Sequence, residues 1–514
     1  MESVKSAEWQ VNMQRYIRIN DVDNVAVALT PLGKGEVTSF ISASDPSNKL
    51  EVVLSEDIPQ GHKFALCDLK TGSKIIKYAN PIGTATADII TGSHVHTHNI
   101  KTTLGDINEY TYTKQVTDFP KEEPFYFNGY LRKDGRAGIR NDIWIIPTVG
   151  CVNGLVKSLE RAGNAQLRKE GIDDIVGFTH PYGCSQMGLD QENTRHILAD
   201  LIKHPNAGGV LVVGLGCENS NIPVMMDYLE GYDESRVRFL VAQDFTDEFS
   251  EGIKLLSELI DNASKDKRVP ISSEKLIVGL KCGGSDGLSG ITANPTVGAF
   301  SDFLIKHGGT TILTEVPEMF GAEKILMNRC ANEELFEKTV DLINDFKDYF
   351  GRYNQVCYEN PSPGNKKGGI TTLEDKSLGC TQKAGKSEVE GVLKYSEPVI
   401  NKGLNLLSAP GNDMVAATAL ASSGAQLVLF TTGRGTPFSS PVPTVKISSN
   451  TLLFEKKPGW IDFNAGVIVT EGKSINDTAM HLADFVKEVA EGKKVKSELS
   501  FYKDIAIFKD GVTC

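Results

Sequence analysis

The sequence predicts an α/β protein of several domains, with a small all-β unit first and two α/β regions with mostly parallel sheets after it. Three observations predict this. At 514 residues the chain is too long for a single core. Residues 12–100 carry short apolar runs between turn signals and almost no helical period. From Gly129 onward, short apolar strands alternate with amphipathic stretches, the grammar of a parallel sheet with crossover helices.

In the β unit, Ile17 and Ile19 alternate with polar residues, and Val25–Leu29, Val52–Leu54 and Phe64–Leu66 follow as strands between Asp, Pro and Gly turns. Residues 101–127 are polar and read as a linker. A first α/β domain spans 128–262. Its strands Ile143–Thr148, Ile175–Phe178 and Gly209–Val213 each run into a loop with a Gly-Cys step, at Cys151, Cys184 and Cys217. A Lys/Asp/Ser-rich patch closes it, and a C-terminal α/β domain spans 270–514, with strands at Leu276–Leu280, Thr310–Leu313, Leu404–Leu407 and Gln426–Phe430. The irregular stretch between about 353 and 392 is long for a connection in a compact domain, which marks it as a functional loop.

Composition narrows the class. Hydrophobic residues make up 40% and charged ones 23%, with no apolar run long enough to span a bilayer, so no membrane partner is expected. The start Met1–Lys5 lacks an apolar signal core, and a cytoplasmic protein is expected. A net charge of −12 without a basic stripe excludes nucleic acid and means that an anionic ligand must be held by local cations or a metal. Nine cysteines without Cys-x-x-Cys spacing read as free thiols or ligands, not as disulfides or a zinc ribbon. A homodimer is compatible with a sequence that leaves the oligomeric state open.

The chemistry is expected at the stretch Lys281–Pro295. A buried strand ends there, a glycine-rich loop turns, and a helix begins at Asn294-Pro295, running by the spacing of Val297, Phe300 and Leu304 to Gly308-Gly309. Such a junction is where α/β sheets bind ligands. Its free backbone N–H groups, with Lys281, Cys282, Ser285 and Asp286, suit a small anion with or without a metal. His94, His96 and His98 share one face if they lie on a strand, where neighbours two apart are separated by about 7 Å and could chelate one ion. Arg136 and Arg434 follow glycines and could clamp a carboxylate. Glu315 and Glu318 flank Val316-Pro317 just after a strand and are either cleft carboxylates or ordinary loop residues. Gly214-Leu215-Gly216 lacks the third glycine of a dinucleotide fingerprint, and no phosphate loop is present.

Longer stretches carry a resemblance: Asp23–Leu29, Gly61–Leu66, His94–Asn99, Thr148–Gly154, Tyr182–Gln186, Gly214–Asn219, Gly283–Pro295, Leu313–Glu323, Ile370–Lys383 and Thr432–Val445. On these the chain resembles the altronate/galactarate dehydratase family over nearly its whole length. The resemblance implies an N-terminal SAF-type β-clip, two α/β regions, and dehydration of a sugar acid to a 2-keto-3-deoxy acid with a divalent metal, Fe(2+) or Mn(2+). The three-histidine strand and the Tyr-Gly-Cys-Ser-Gln form favour D-altronate as substrate, giving 2-dehydro-3-deoxy-D-gluconate in hexuronate (galacturonate) breakdown.

Removing the C2 proton of an aldonate builds a dianionic enediolate, which a cation and fixed donors must stabilise. The expected roles follow. Lys281 or a member of the His94, His96, His98 strand, with His96 foremost, is the candidate base, and Asp286 is a catalytic candidate near the metal. Gly283, Gly284, Ser285, Asn294, Arg136 and Arg434 hold the carboxylate, and His94, His96, His98, Cys184 and Glu218 are candidates for the metal. Galactarate or another aldonate or aldarate remains an alternative substrate. An aconitase-like iron–sulfur centre on Cys184, Cys217 and Cys282 and a non-catalytic sugar-acid-binding protein are the other readings.

Overall fold

The computed structural model describes residues 14–514 except 43, 44, 46, 48, 106–108, 116–118 and 501. The start Met1–Lys5, the first residues of the expected β domain and parts of the expected linker lie outside the described residues.

The first unit is all β. Strands Tyr16–Ile17, Val25–Ala28, Lys63–Ala65 and His94–Val95 form an antiparallel sheet, beside the pair Val37–Ile41/Lys49–Val53 and the three strands Lys74–Lys77, Asn80–Ala85 and Ile100–Lys101. Val25–Ala28 is buried at every residue, because three small apolar cores meet along it. One of those cores takes in Ala322 and Leu378 of the C-terminal region, so the β unit is packed onto its neighbour.

The described parts of 101–125 lie against the C-terminal region instead of hanging free. The Tyr110 hydroxyl donates to Glu323 at 2.6 Å, and that of Tyr112 to the Cys330 carbonyl at 2.6 Å. Strand Tyr126–Leu131 then pairs antiparallel with Val269–Ser272. These are the strands entering and leaving the first α/β region, so pairing closes that region at its base.

The first α/β region is a parallel sheet in the order Ile175–Gly177, Asp142–Pro147, Ala207–Gly214, Val237–Val241. Helices Asn153–Gln166 and Glu248–Ala263 cover one face. Helix Gly188–Ile202 covers the other and shares a core with Ala416, Ala419 and Leu420 of helix Asp413–Ser422 in the C-terminal region. His204 lies in this shared core. Its ring stacks on Trp144 at 5.3 Å and its Nε2 meets the Ala425 carbonyl at 3.2 Å.

Burial pushes the His204 imidazole down to about 3, so it is folded as the neutral form. The unfolded chain takes a proton near pH 6.5 that the folded chain refuses, so stability is complete above that pH and falls as pH drops toward 3. Acid titration of the unfolding midpoint is expected to show this loss beginning near pH 6.5, and His204→Gln is expected to flatten the slope between pH 6.5 and 4. An unchanged slope in the variant would remove His204 from the account.

The C-terminal sheet has seven parallel strands, ordered Val389–Leu393, Gly403–Leu407, Thr310–Leu313, Ile277–Cys282, Leu427–Thr432, Thr444–Ser448, Phe463–Asn464. The chain builds outward from Ile277–Cys282 to one side, then returns to its other side with Leu427–Thr432. That reversal opens a crevice beyond the carboxyl ends of these two strands. Helix Ala293–Lys306 begins two residues before the expected first residue Pro295, with Thr292 instead of Asn294 at its cap, and ends before Gly308, whose positive φ of 80° stops it. The stretch 353–392 holds helices Pro363–Lys367 and Leu373–Cys380, the latter buried at all eight residues.

Candidate active site

The crevice is walled by the glycine loop after Ile277–Cys282, by helix Leu373–Cys380, and by Lys77 and Tyr78 of the β unit. Only glycines permit such an approach. A Cβ on Gly287 would lie 2.0 Å from the Gly61 carbonyl oxygen, and one on Gly433 would lie 2.2 Å from Asp286 Cγ. Gly433→Ala is therefore expected to displace Asp286 and the loop it holds, with a loss of activity of about a hundredfold from misplacement near the chemistry. A steady-state assay with a thermal midpoint checks this, and near wild-type turnover would contradict it.

A buried charged cluster sits at the strand ends. Lys281 Nζ lies 3.1 Å from Glu315 and 2.7 Å from Asp413, and it also donates to the Cys282 carbonyl at 2.9 Å. Burial opposes its charge, but the two carboxylates outweigh burial and hold its pKa above that of an ordinary lysine. The Cys282 and Cys380 sulfurs are 3.4 Å apart, and both lie against Glu318 Oε2, at 3.0 and 3.2 Å. Lys383 donates to Cys282 Sγ at 2.9 Å, and Lys376 pairs with Glu318 at 2.6 Å.

Glu315 and Glu318 are driven apart. Burial raises Glu315 despite Lys281. Burial is overcome at Glu318 by Lys376 and Lys383, which hold it well below the usual carboxylate range. Glu315 also sits at φ 71°, ψ 60°, a left-handed conformation that costs a non-glycine residue of order 1 kcal/mol and clusters at functional sites.

The imidazoles form a second group. Strand His94–Val95 ends at once, and the chain turns, so that His98 is exposed with its ring 5.4 Å from His94. The third partner is His62 of the neighbouring strand end. Its Nδ1 lies 2.9 Å from His94 Nε2, and one ring nitrogen from each of His62, His94 and His96 falls within 4.8 Å of the others. Burial depresses His94 to about 4 and His96 to about 3, and lowers His62, so all three are neutral at pH 7, the form that binds metals. Thr371 Oγ1 meets His96 Nδ1 at 3.1 Å and orients the ring from outside, as partners of metal-bound imidazoles do.

Between the two groups lies Asp375, on helix Leu373–Cys380. It pairs with Lys63 at 2.8 Å and Lys77 at 2.9 Å, all three being buried. One carboxylate cannot balance two ammonium groups in a dry interior. Burial lowers Lys63 to about 8, while Lys77 is raised and Asp375 is held far below an ordinary carboxyl.

The residues picked out from sequence fall in several places. Asp286 Oδ1 accepts from Leu288 N, Ser289 Oγ and Ser449 Oγ, and Oδ2 from Asn450 Nδ2, so its lone pairs are spent holding the loop. Asn294 lines the crevice, bonds the Gly379 carbonyl and accepts from Thr431, while Gly283 faces Phe430 and Asp413 and Gly284 faces Arg434 and Thr432. Ser285 Oγ is buried at the crevice without a hydrogen-bond partner among the described residues. Arg434 is exposed beside Gly284, with no ion-pair partner among the described residues. Arg136 is not at the site. It lies at the amino ends of the strands, its guanidinium on Asp134 and the Lys203 carbonyl.

Cys184 and Glu218 belong to the first α/β region and to neither donor group. Glu218 is buried and accepts from Thr148 Oγ1, Leu215 N and Gly216 N. Cys282 is paired with Cys380, apart from the exposed Cys184 and Cys217, so the expected trio of Cys184, Cys217 and Cys282 is divided. A much larger groove of about 920 Å³, between helices Ala293–Lys306 and Ile475–Ala490, holds none of these residues. Among the described residues no helix is long and apolar enough to cross a membrane.

Comparison with known proteins places the whole chain. Residues 14–103 match the altronate/galactarate dehydratase SAF domain. Residues 129–264 match the D-galactarate dehydratase/altronate hydrolase second domain, and residues 273–513 the D-galactarate/altronate dehydratase C-terminal domain. The chain is 53% identical to the altronate dehydratase of Bacillus subtilis (strain 168), over 98% of this chain and all of that one. It is 50% identical to the altronate dehydratase of Escherichia coli (strain K12), over 97% of this chain and all of that one. Identity to the L-threo-forming galactarate dehydratase of E. coli K12 is 31%, over 96% of each chain.

Proposed function

The chain belongs to the altronate/galactarate dehydratase family and is a hydro-lyase that dehydrates a sugar acid; from that premise we propose that it converts D-altronate to 2-dehydro-3-deoxy-D-gluconate and water, in hexuronate breakdown in the cytoplasm. The step from sugar acid to D-altronate rests on the 53% and 50% identity to proteins that carry that activity, against 31% to the galactarate enzyme. Nine unpaired cysteines suit a reducing compartment.

A divalent ion fits His62, His94 and His96: three neutral nitrogens converge there, and no lysine or arginine donates to them among the described residues. It does not fit Cys282, Glu318 and Cys380, because Lys383 and Lys376 already occupy the cationic positions against that sulfur and that carboxylate. When bound, the ion supplies Lewis-acid polarisation of the substrate carboxylate or hydroxyl, with Fe(2+) or Mn(2+) the proposed occupant.

The protein's own groups supply charge and positioning around the substrate. Lys281 is an ammonium whose three donors are all engaged, so it contributes positive field to the enediolate instead of serving as the base. Lys376 reaches the crevice wall and adds to that field. Arg434, exposed beside the loop, is placed to take the carboxylate, and the Ser285 hydroxyl to take a substrate oxygen. Asp286 positions the loop. The crevice measures about 10 Å³, room for about one water.

A panel of C5 and C6 aldonates and aldarates, assayed for 2-keto acid with chelator and then with Fe(2+), Mn(2+) or Mg(2+), tests this reading. D-altronate is expected to give the highest kcat/KM, with activity lost to chelator and restored by Fe(2+) or Mn(2+). Preference for galactarate would overturn the substrate, and full activity in chelator would overturn the ion.

A further inference from the structure

The first α/β region carries a set of sulfur donors that dehydration at the crevice does not use. Cys151, Cys184 and Cys217 are all exposed. Each follows the carboxyl end of one of three adjacent strands, Asp142–Pro147, Ile175–Gly177 and Ala207–Gly214. The first of these in sequence is flanked by the second on one side and the third on the other. It is therefore a point of strand-order reversal, where α/β sheets bind ligands.

The three loops are locked to one another. Gly150 N donates to the Tyr182 carbonyl at 2.8 Å, Ser220 N to the Gly183 carbonyl at 3.1 Å, and Ser185 N to Asn219 Oδ1 at 3.2 Å. A Cβ on Gly183 would lie 1.9 Å from the Thr148 carbonyl oxygen, so only glycine lets these loops close. Beside Cys184, Ser185 adopts φ 61°, a left-handed conformation unusual for a residue with a side chain. Glu218 spends its carboxylate on Thr148, Leu215 and Gly216, which holds the turn while its neighbour Cys217 stays outside.

The setting differs from that of Cys282. Cys184 has only the Ser185 hydroxyl at 3.9 Å and Cys217 only the Gln243 amide at 3.6 Å; no lysine or arginine donates to any of the three sulfurs among the described residues. The sulfurs do not gather within 4.8 Å as the imidazoles do. A single ion draws its donors that close, whereas a cluster with inorganic sulfide between its irons takes thiolates spaced more widely. Soft thiolates select such clusters.

We propose that Cys151, Cys184 and Cys217 hold a [4Fe–4S] cluster through three thiolates, leaving one iron without a cysteine. The exposed Cys514, whose N–H donates to the Ser185 carbonyl at 2.9 Å, lies beside the same loop and is not assigned as a ligand. The proposal is independent of the ion at His62, His94 and His96, since the two donor sets lie in different domains.

The full chain, purified without oxygen and reconstituted with ferrous iron and sulfide, tests it. The expected result is a broad visible absorption band with about four irons and about four acid-labile sulfides per chain. Cys151→Ser, Cys184→Ser and Cys217→Ser are each expected to lower labile sulfide at least about tenfold, with the unfolding midpoint unchanged because the positions are exposed. Cys67→Ser and Cys514→Ser are expected to keep it. Absence of labile sulfide from the reconstituted protein would overturn the proposal, as would sulfide that survives in the triple Cys151/Cys184/Cys217→Ser variant. Loss in Cys514→Ser equal to the others would overturn the three-thiolate assignment. Turnover with a divalent ion and no labile sulfide would sink the cluster and leave the dehydration reading standing.

Discussion

Alanine at His62, His94 or His96 is expected to lower kcat for sugar-acid dehydration by about a thousandfold, the scale of losing the main electrostatic support of a developing dianion. The same variants are expected to lose the bound ion, while the unfolding midpoint of the ion-free protein changes little. The His62 ring meets His94 Nε2 at 2.9 Å and the Lys367 carbonyl at 3.3 Å, and the His94 ring lies against those of His62, His96 and His98. His98→Ala is the comparison. Its ring is exposed and outside the converging trio, so it is expected to retain activity within about threefold. Equal losses at His98 and His62 would show that the ion sits elsewhere on the histidine turn.

Asp375→Asn is expected to cost about 3–5 kcal/mol of stability, the range for removing one partner of a buried ion pair. Here the carboxylate faces two ammonium groups, and without it both Lys63 and Lys77 are left in a dry interior. Because both lysines come from the β unit and Asp375 from helix Leu373–Cys380, the loss is also expected to loosen the β unit from the body of the protein. Denaturant unfolding of the single variant and of Asp375→Asn/Lys77→Met checks the cause. The double variant is expected to recover part of the loss, since one uncompensated charge is gone. Additive destabilisation would mean that the three groups do not act as a unit.

The parts of this architecture that were legible from sequence are those with a period. Strands Ile277–Cys282 and Leu427–Thr432 are buried on both faces, and their apolar stretches Leu276–Leu280 and Leu427–Phe430 read as continuous runs. Helix Ala293–Lys306 shows its buried face in the spacing of Val297, Phe300 and Leu304. Helix Leu373–Cys380 was not legible, because it is buried on every side and its charged residues point into the protein, which erases the polar face. Local spacing placed three histidines on one strand, but the strand ends at Val95 and the turn after it swings His98 away. His62 takes its place from a strand end more than thirty residues earlier, through a strand pairing that spacing along the chain does not encode.

The charged residues show the same limit. Arg136 and Arg434 look alike in sequence, each just after a glycine and next to a strand. One precedes its strand and the other follows it, so they lie at opposite ends of the architecture. Lys281 was legible as a site residue but not as a permanent ammonium, because Glu315 and Asp413 reach it from 34 and 132 residues away. Asp286 looked reactive in a glycine loop, and the four donors that saturate it come partly from Ser449 and Asn450.

The most direct test of the central claim, that the reaction is supported by an ion on His62, His94 and His96, is pulsed electron paramagnetic resonance of the Mn(2+)-loaded protein turning over D-altronate. The account predicts couplings to imidazole nitrogen that weaken in each of the three histidine variants in step with turnover and persist in His98→Ala. Full turnover with Mn(2+) and no imidazole nitrogen coupling would contradict it.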